Sequence, residues 1–138
     1  MNCPFCNIND IKTRILEEKN HIRVVLSNPR LMPGHLLVIP KRHVEKLSEL
    51  NEKELHELIQ TTIEYEEKIL STIAKGCDIR SNYRPFMQNS KLKVAHLHIH
   101  LQPREFKDVL YEKSQIFETQ IFQDLKNNEI NKISELLK

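Results

Sequence analysis

Apolar and polar residues alternate strictly along Val94–Arg104, where three histidines are separated by single apolar residues. Alternation over this length predicts a half-buried β-strand. In a strand, side chains two positions apart share a face and lie roughly 6–7 Å apart. We therefore expect His96, His98 and His100 on one face. The opposite face, which would pack on a core, carries Ala95, Leu97, Ile99 and Leu101.

Four further segments have the pattern of strands. Residues 13–18 and 22–26 read as short strands joined by a turn. The run His35–Pro40 is almost continuously apolar, which predicts a strand covered on both faces and ended by its proline. Another strand is expected near 78–82. These five segments favour a mainly antiparallel sheet.

One long helix has a clear signature at both ends. Asn51 followed by Glu54 matches a capping box, and Gly76 supplies a stop, so we expect a helix from about Glu52 to Lys75. Its apolar residues recur at helical spacing. A second amphipathic helix is expected over 107–125, ended by Asn127 and Asn128, and a terminal helix over 129–137. The predicted fold class is α+β, with the helices on one side of the sheet.

Length and composition limit the possible functions. The 138 residues fit a single domain, 1–138, with a core over 1–106 and a C-terminal helical extension over 107–138. The net charge of +2 is too small for a general binder of extended nucleic acid. No apolar run is long enough for a transmembrane helix, and no secretory pattern is visible, so we expect a cytoplasmic protein without a membrane partner.

The cysteines and basic residues add two candidate features. An odd count of three cysteines indicates a reducing compartment. Cys3 and Cys6 form a C-x-x-C pair, whose position at the extreme N-terminus favours a zinc ligand pair over a redox pair. Basic residues that flank the histidine segment suit either an anionic ligand or a solvated basic face. They are Arg80, Arg84, Lys91, Lys93 and Arg104.

Three imidazoles on one strand face leave two kinds of site open. Neutral imidazole is a metal ligand, and it is also a nucleophile or base. His96, His98 and His100 could therefore be three ligands of one catalytic zinc, or they could form a catalytic site without metal.

Two separated blocks resemble the histidine-triad (HIT) family. His96–Gln102 is similar to its motif of three histidines alternating with apolar residues, and Pro33–His43 is similar to its other characteristic segment. The Cys3-x-x-Cys6 pair resembles the zinc-bearing bacterial branch. The resemblance covers about residues 3–104 and implies a HIT-like fold with a five-stranded sheet.

The resemblance also implies an activity. Members transfer or hydrolyse nucleotidyl groups: His98 would attack the α-phosphorus of a phosphoramidate, an adenylate or a dinucleoside polyphosphate, and water would cleave the nucleotidyl-histidine. His100 would contact the phosphate oxygens or the leaving group, and His35 would belong to the hydrogen-bond chain behind it. The positions matched to nucleotide binding are Asn28, Gln88, Lys93, His98 and His100.

By the same resemblance, a structural zinc ion would be held by Cys3, Cys6, His43 and His96, and the chain would form a homodimer. Some positions depart from the family pattern: Gln102 replaces an apolar residue, and Gln88–Val94 replaces a glycine-containing approach to the triad. An alternative function is that of a zinc-stabilised nucleotide-binding or interaction protein without turnover.

Overall fold

The computed structural model describes residues 3–90 and 92–138, apart from the side chain of Asp10. Five strands form one antiparallel sheet in the order β1-β2-β3-β5-β4. This confirms the predicted α+β class. The strands are β1 (Ile15–Glu18), β2 (Ile22–Leu26), β3 (Leu36–Pro40), β4 (Gly76–Ser81) and β5 (Ile99–Arg104).

Helix α1 (Glu52–Thr72) covers one face of this sheet. Its start is as predicted, since the Asn51 side chain accepts from the Glu54 N–H and the Glu54 carboxylate accepts from the Asn51 N–H. The core beneath it takes alternate residues from the strands. These are Ile22 and Val24 of β2, Leu36 and Val38 of β3, and Ile99 and Leu101 of β5, together with Leu58 and Ile69 of the helix.

The opposite face of the sheet has a second, smaller apolar cluster under the N-terminal segment. Phe5 and Ile11 pack there with Val25, Leu37 and Ile39. Because β3 contributes to both clusters, all of its residues are buried, as its continuous apolar run predicts. The histidine segment faces this second side.

The strand prediction for Val94–Arg104 is wrong at its N-terminal half, because β5 begins only at Ile99. Its pairing with β3 ends at Val38 opposite Ile99. Continuing the ladder would set Pro40 opposite Leu97, and proline has no N–H to donate. The Leu97 N–H instead donates to the Val44 carbonyl at 2.7 Å. The sidedness survives: Leu97 packs in the α1 core, and His96 does not.

The chain divides into two compact units, with the division between Phe106 and Lys107. The second unit contains α2 (Val109–Lys113), a 3-10 helix (Gln115–Gln120) and α3 (Asn127–Leu137). The single helix predicted over 107–125 is therefore wrong. The Ser114 hydroxyl donates to the Leu110 carbonyl where α2 ends, and no residue of α2 or the 3-10 helix has a buried side chain to stabilise a longer helix.

The predicted break at Asn127 and Asn128 is also wrong, because both residues lie in the first turn of α3. The Glu129 carboxylate accepts from the Lys126 N–H at 3.1 Å and closes that turn. Among the described residues, none of the helices combines the length and the apolar character that a membrane crossing requires.

Candidate active site and metal centre

Four side chains from three distant segments converge beside the second apolar cluster. Their ligand atoms all lie within 4.8 Å of one another, and we call them the Cys/His cluster: Cys3, Cys6, His43 and His96. His96 Nδ1 lies 3.4 Å from Cys3 Sγ, 3.5 Å from Cys6 Sγ and 3.1 Å from His43 Nδ1. Cys6 Sγ lies 3.2 Å from His43 Nδ1.

The orientation of His96 presents a lone pair to this cluster. Its Nε2 lies 2.8 Å from the Pro40 carbonyl oxygen, which can only accept, so Nε2 carries the proton and Nδ1 does not. Burial lowers the pKa of His96 to about 4, which keeps the ring neutral. A hydrogen bond on the far ring nitrogen is the usual support of a metal-bound histidine.

The spacing of the cluster suits a tetrahedral metal ion. Zinc binds thiolate at about 2.3 Å and imidazole at about 2.0–2.1 Å, which sets S···N edges of about 3.6 Å and an N···N edge of about 3.3 Å. Three S···N distances of 3.2–3.5 Å and the N···N distance of 3.1 Å are close to these edges, and all four ligand atoms lie within 4.8 Å of one another. The donors present therefore fit zinc.

The N-terminal turn that carries the two cysteines also contacts the triad. The backbone carbonyl of Cys3 accepts from the N–H groups of Cys6 and Asn7, so both thiols lie on one tight turn. Between them, Phe5 is buried and packs edge-on against the rings of His96 and His98, with centroid distances of 5.9 and 5.0 Å. The turn that carries the two cysteines thus also forms one wall beside His98.

His98 and His100 are oriented by separate hydrogen bonds. His98 Nδ1 lies 2.6 Å from the His96 carbonyl oxygen, so Nδ1 carries the proton and Nε2 keeps its lone pair. His35 Nδ1 accepts from the Leu31 N–H, and His35 Nε2 lies 2.9 Å from His100 Nδ1. The proton of His35 is therefore on Nε2, and His100 must carry its own proton on Nε2. The His98 ring therefore offers a lone pair at Nε2, and the His100 ring offers an N–H at Nε2.

All three rings are held neutral at physiological pH. Burial, with a smaller contribution from the Arg80 charge, lowers the pKa of His35 to about 4. Burial also lowers the pKa of His100 to about 3, with smaller contributions from its histidine neighbours and the guanidinium groups of Arg80 and Arg84. The pKa of His98 is lowered by burial as well. A neutral imidazole is the nucleophilic form.

The turn before β3 sets the position of His35. Gly34 has φ +85°, a left-handed conformation that favours glycine, and a Cβ there would lie 3.2 Å from side-chain atoms of Ile73 and Pro103. The next residue, His35, closes the turn through its N–H, which donates to the Met32 carbonyl at 3.1 Å, and its carbonyl accepts from the Ser27 N–H at 2.9 Å. The Pro33-Gly34-His35 turn thus positions His35 in the hydrogen-bond chain that reaches His100.

His98 and His100 line a cavity of about 870 Å³, which we call the arginine-lined cavity. Four arginines line it, and none of its described lining residues is an aspartate or a glutamate. The arginines are Arg14, Arg30, Arg80 and Arg84. Predicted nucleotide-binding residue Asn28 lies in the same wall, next to Ser27.

Two other predicted binding residues lie elsewhere. Gln88 and Lys93 line a second cavity of about 640 Å³ together with Cys3 and His43. Pro4, Ser90 and Val94 line both cavities, so the two are neighbours. Of the remaining basic residues, Arg104 pairs with Asp78 at 2.6 Å, and Lys91 lies outside the described residues.

The interpretation of the triad as three ligands of one zinc is wrong for this structure. His96 directs Nδ1 at the cysteines. His98 instead directs Nδ1 at the His96 carbonyl, and His100 directs Nδ1 at His35 Nε2. In the described part of the chain, the group of potential ligands that gathers is the Cys/His cluster.

A family model for the HIT domain matches residues 9–107. This chain belongs to the HIT family. The resemblance drawn from the two sequence blocks is therefore confirmed. A HIT-like protein of Methanocaldococcus jannaschii is 32% identical over 108 residues, which cover 74% of this chain and 78% of that protein.

Two relatives in Schizosaccharomyces pombe are named for reactions of nucleotides. The bis(5'-nucleosyl)-tetraphosphatase [asymmetrical] is 32% identical over 81 residues, 56% of this chain and 42% of that enzyme. The adenosine 5'-monophosphoramidase hnt1 is 28% identical over 109 residues, 75% of each chain. Relatives of this chain thus include one protein named as a tetraphosphatase and one named as a monophosphoramidase.

Solved HIT structures have the same fold. A HIT protein of Bacillus subtilis aligns with a TM-score of 0.74 at 24% identity, covering 99% of this chain and 95% of that one. A zinc-bound histidine-triad protein of Mycobacterium smegmatis aligns with a TM-score of 0.66 at 25% identity over 80% of each chain. A HIT protein with bound zinc therefore exists among the structural neighbours.

Sequence reasoning missed Phe5, Arg14 and Arg30 as parts of this HIT site. Phe5 was hidden by its position between two cysteines, and Arg14 and Arg30 lie far from the triad in sequence. Arg14 donates to the Leu26 carbonyl at 2.8 Å, which brings the start of β1 to the end of β2. Only the strand order could have shown that these arginines reach the triad.

Proposed function

We propose that this HIT protein is a nucleotide hydrolase or nucleotidyl transferase that acts through a covalent intermediate on His98. One observation carries the proposal: His98 Nδ1 is bonded to the His96 carbonyl, which leaves the Nε2 lone pair of a neutral ring in a cationic cavity. A positioned, neutral imidazole is a competent nucleophile for phosphorus.

The reaction would proceed in two displacements. His98 Nε2 forms a bond to the α-phosphorus of a nucleoside phosphate derivative, and the bond from phosphorus to the leaving group breaks with its electron pair on the leaving atom. Water then attacks the same phosphorus, the P–N bond to His98 breaks, and a nucleoside monophosphate is released. The His100 N–H and the cavity arginines would stabilise the charge on the phosphoryl oxygens.

The names of the relatives support this class of reaction. A tetraphosphatase and a monophosphoramidase both break a bond at a nucleotide phosphorus, and both share the HIT sequence with this chain. The two names indicate different groups on that phosphorus.

We also propose that the Cys/His cluster holds one structural zinc ion. Two cysteines and two histidines form a closed ligand set without an open position, so the ion would cross-link the N-terminus to the exit of β3 and to the triad segment. Catalysis would remain with His98 and His100.

Two further proposals concern assembly and location. The exposed flank of α1 has an apolar row at helical spacing, which includes Leu55, Ile59 and Ile63 at 41%, 46% and 52% exposure. We propose that a second copy covers this row in a C₂ homodimer. Light scattering that gives the 16.4 kDa mass of one chain would contradict the dimer. The three free cysteines suit the cytoplasm.

The test of the activity is to trap the intermediate. The protein is mixed with an adenosine nucleotide labelled at the α-phosphate and quenched in base, in which phosphorus–imidazole bonds survive. We expect a mass increase of one nucleoside monophosphate less one water on a peptide that contains His98, and none with His98→Ala. Nucleotide binding without any adduct or turnover would contradict the proposal and favour a binding protein.

A further inference from the structure

A buried charge lies in the apolar cluster on which the N-terminal segment packs. Ile22 and Val24 of β2 belong to the core under α1, so Arg23 between them faces the opposite side of the sheet. There its partner in the β2–β3 register is Ile39, a member of the second apolar cluster, and Arg23 is only 9% exposed. A guanidinium group in such surroundings costs free energy unless its donors are bonded. The contacts of Arg23 therefore indicate what it contributes.

Arg23 bonds to two partners through two different nitrogen atoms. Its Nε donates to a Glu18 carboxylate oxygen at 2.7 Å, and Glu18 of β1 is its partner in the β1–β2 register. Its Nη1 donates to the backbone carbonyl oxygen of Phe5 at 3.4 Å. The second bond is longer than the roughly 3 Å of an ideal N–H···O bond, but its donor is charged and the contact is buried. The guanidinium group thus joins the sheet to the N-terminal turn.

Phe5 lies between the two cysteines of the Cys/His cluster. Among the described residues, the other backbone hydrogen bonds of this turn run from the Cys6 and Asn7 N–H groups to the Cys3 carbonyl. These bonds fix the shape of the turn, and they do not fix its place on the sheet. The contact from Arg23 to the Phe5 carbonyl does so, together with the burial of the Phe5 ring.

The two histidines of the cluster are held from the sheet by other means. His43 follows the end of β3 by three residues, and His96 donates from Nε2 to the carbonyl of Pro40, the last residue of β3. The cluster is therefore assembled from two parts, a strand exit and an N-terminal turn. An ion can bind all four side chains only when the turn lies against that exit.

We propose that Arg23 is a positioning residue of the metal centre, and that it raises the affinity for zinc by holding the Phe5 carbonyl, and with it both cysteines, against the two histidines. The inference rests on the proposed zinc site and adds a residue to it. Ligands that are already in place bind a metal more tightly, because less chain has to be ordered when the ion binds. Arg23 is not itself a ligand, since its guanidinium stays protonated and has no lone pair to offer.

The test is the zinc affinity of Arg23→Met, measured by competition with a chelator of known affinity. Methionine keeps an apolar stem in the cluster, and the Glu18 side chain is 42% exposed, so its carboxylate returns to water. We expect the Kd for Zn²⁺ to rise about tenfold, as for the loss of other contacts that support metal ligands. The absorption spectrum of Co²⁺ bound in place of zinc should match that of the wild type, because all four ligands remain.

A purely structural Arg23 predicts a different pair of results. The Tm of the zinc-loaded protein would then fall while the Kd for Zn²⁺ stays within about twofold of the wild type, and this outcome would overturn the inference. A changed Co²⁺ spectrum would also overturn it, because a ligand itself would have been lost. Glu18→Gln is the matched control. Its amide oxygen can still accept from Arg23 Nε, so the Kd should stay within about twofold, and a tenfold rise would show that the ion pair matters instead of the contact with Phe5.

Arg23→Lys covers the case in which Arg23→Met does not fold. Lysine keeps the charge beside Glu18 but has one nitrogen in place of the two that bond to Glu18 and Phe5, so the Kd should rise by about threefold or more. An unchanged Kd would overturn the inference. A wild-type protein that binds no zinc would refute the proposed zinc site itself, whereas a wild type that binds zinc with the same Kd as the Arg23 variants would remove only the role of Arg23.

Discussion

The Cys/His cluster and the arginine-lined cavity both take histidines from the short segment 96–100, but the two sites have different chemistry. His96 is 1% exposed and directs its lone pair at two sulfur atoms. His98 is only two residues later, and it directs a lone pair at a cavity lined by arginines. Phe5 separates the two rings by packing edge-on against both.

The difference shows that the hydrogen bond at one ring nitrogen decides where the other nitrogen directs its lone pair, and so which chemistry the histidine can take part in. In His96 the Pro40 carbonyl fixes the proton on Nε2, and in His98 the His96 carbonyl fixes it on Nδ1. The lone pair therefore faces the cluster in one ring and the cavity in the other. Because separate carbonyls set the two tautomers, each site should be open to disruption without the other.

The largest effect should come from His98→Ala, which removes the proposed nucleophile and leaves the Cys/His cluster intact. We expect kcat to fall by about 10⁴-fold or more, because a covalent mechanism has no substitute for its nucleophile. Nucleotide affinity should stay within a few-fold, since the arginines that line the cavity would still bind the phosphates. Zinc content by elemental analysis should be that of the wild type. Activity within tenfold of the wild type would refute the role of His98.

Removing the cluster should do the converse. Cys3→Ser/Cys6→Ser should abolish bound zinc and lower the Tm by roughly 5–15 °C, because a metal that binds only the folded chain contributes directly to its stability. We expect kcat to fall by less than about tenfold, as His98 and His100 need no metal to react. Calorimetry and elemental analysis give the two readouts.

Cys77→Ser is the matched control for that prediction. Cys77 is half-buried, packs against the α1 core and lies outside the cluster. The control should lose a little stability and no zinc. A double variant that retains one zinc ion per chain, or that melts at the wild-type temperature, would contradict the assignment of the cluster.

A smaller effect is expected from His35, which acts on the cavity through His100. His35→Leu removes the N–H that donates to His100 Nδ1. His100 can then carry its proton on Nδ1 and cease to donate from Nε2. Loss of such a supporting bond should lower kcat by about 10–100-fold with little change in KM. Rescue by His35→Gln, whose amide N–H can replace the donor, would separate this positioning role from loss of packing.

The same residue should change the acid stability of the protein. The pKa of His35 is about 4 in the folded chain and 6.5 in the unfolded chain. Between these values the unfolded chain binds more protons, so the free energy of unfolding should decrease as pH falls from 6.5 toward 4, by roughly 3 kcal/mol for the full shift. The free energy of unfolding of His35→Leu, measured by denaturant melts, should decrease less steeply over this pH range. Parallel curves would contradict a neutral, buried His35.

Sequence patterns predicted the local and one-dimensional features well. The capping box of α1, the two-sided burial of β3 and the sidedness of Leu97 and His96 all follow from residue types at fixed spacing. The candidate ligand set and the triad were accessible through the resemblance to the family, and the structure brings the four candidate ligands together.

Features that depend on pairing between distant strands could not be predicted. The late start of β5 depends on Pro40, which lies on another strand and offers no N–H. Arg80 faces His100 because of the β4–β5 register, which no local pattern encodes. In the second unit, apolar residues at helical spacing suggested a helix over 107–125. No side chain of α2 or of the 3-10 helix is buried, so burial does not stabilise one long helix there.

The smallest effect should come from Glu54→Gln, which tests how rigidly the cluster is held from outside. The Glu54 carboxylate accepts from Arg42 at 2.8 and 3.0 Å and from the Asn51 N–H, so the start of α1 is tied to the residue next to His43. Arg42 lowers the pKa of Glu54 to about 2 against an ordinary value of 4.5. The stability that this carboxylate contributes is therefore present above pH 4.5 and is lost as pH falls toward 2.

At pH 7, Glu54→Gln should lower the free energy of unfolding by about 1–2 kcal/mol through the weakened cap and ion pair. Zinc should exchange a few-fold faster with a chelator, because the segment that carries His43 loses its anchor, while kcat should stay unchanged. Glu67→Gln, an exposed position on the same helix, is the control. A loss of activity larger than the gain in zinc exchange would show that the cluster and the cavity are coupled, against the independence that their separate tautomers predict.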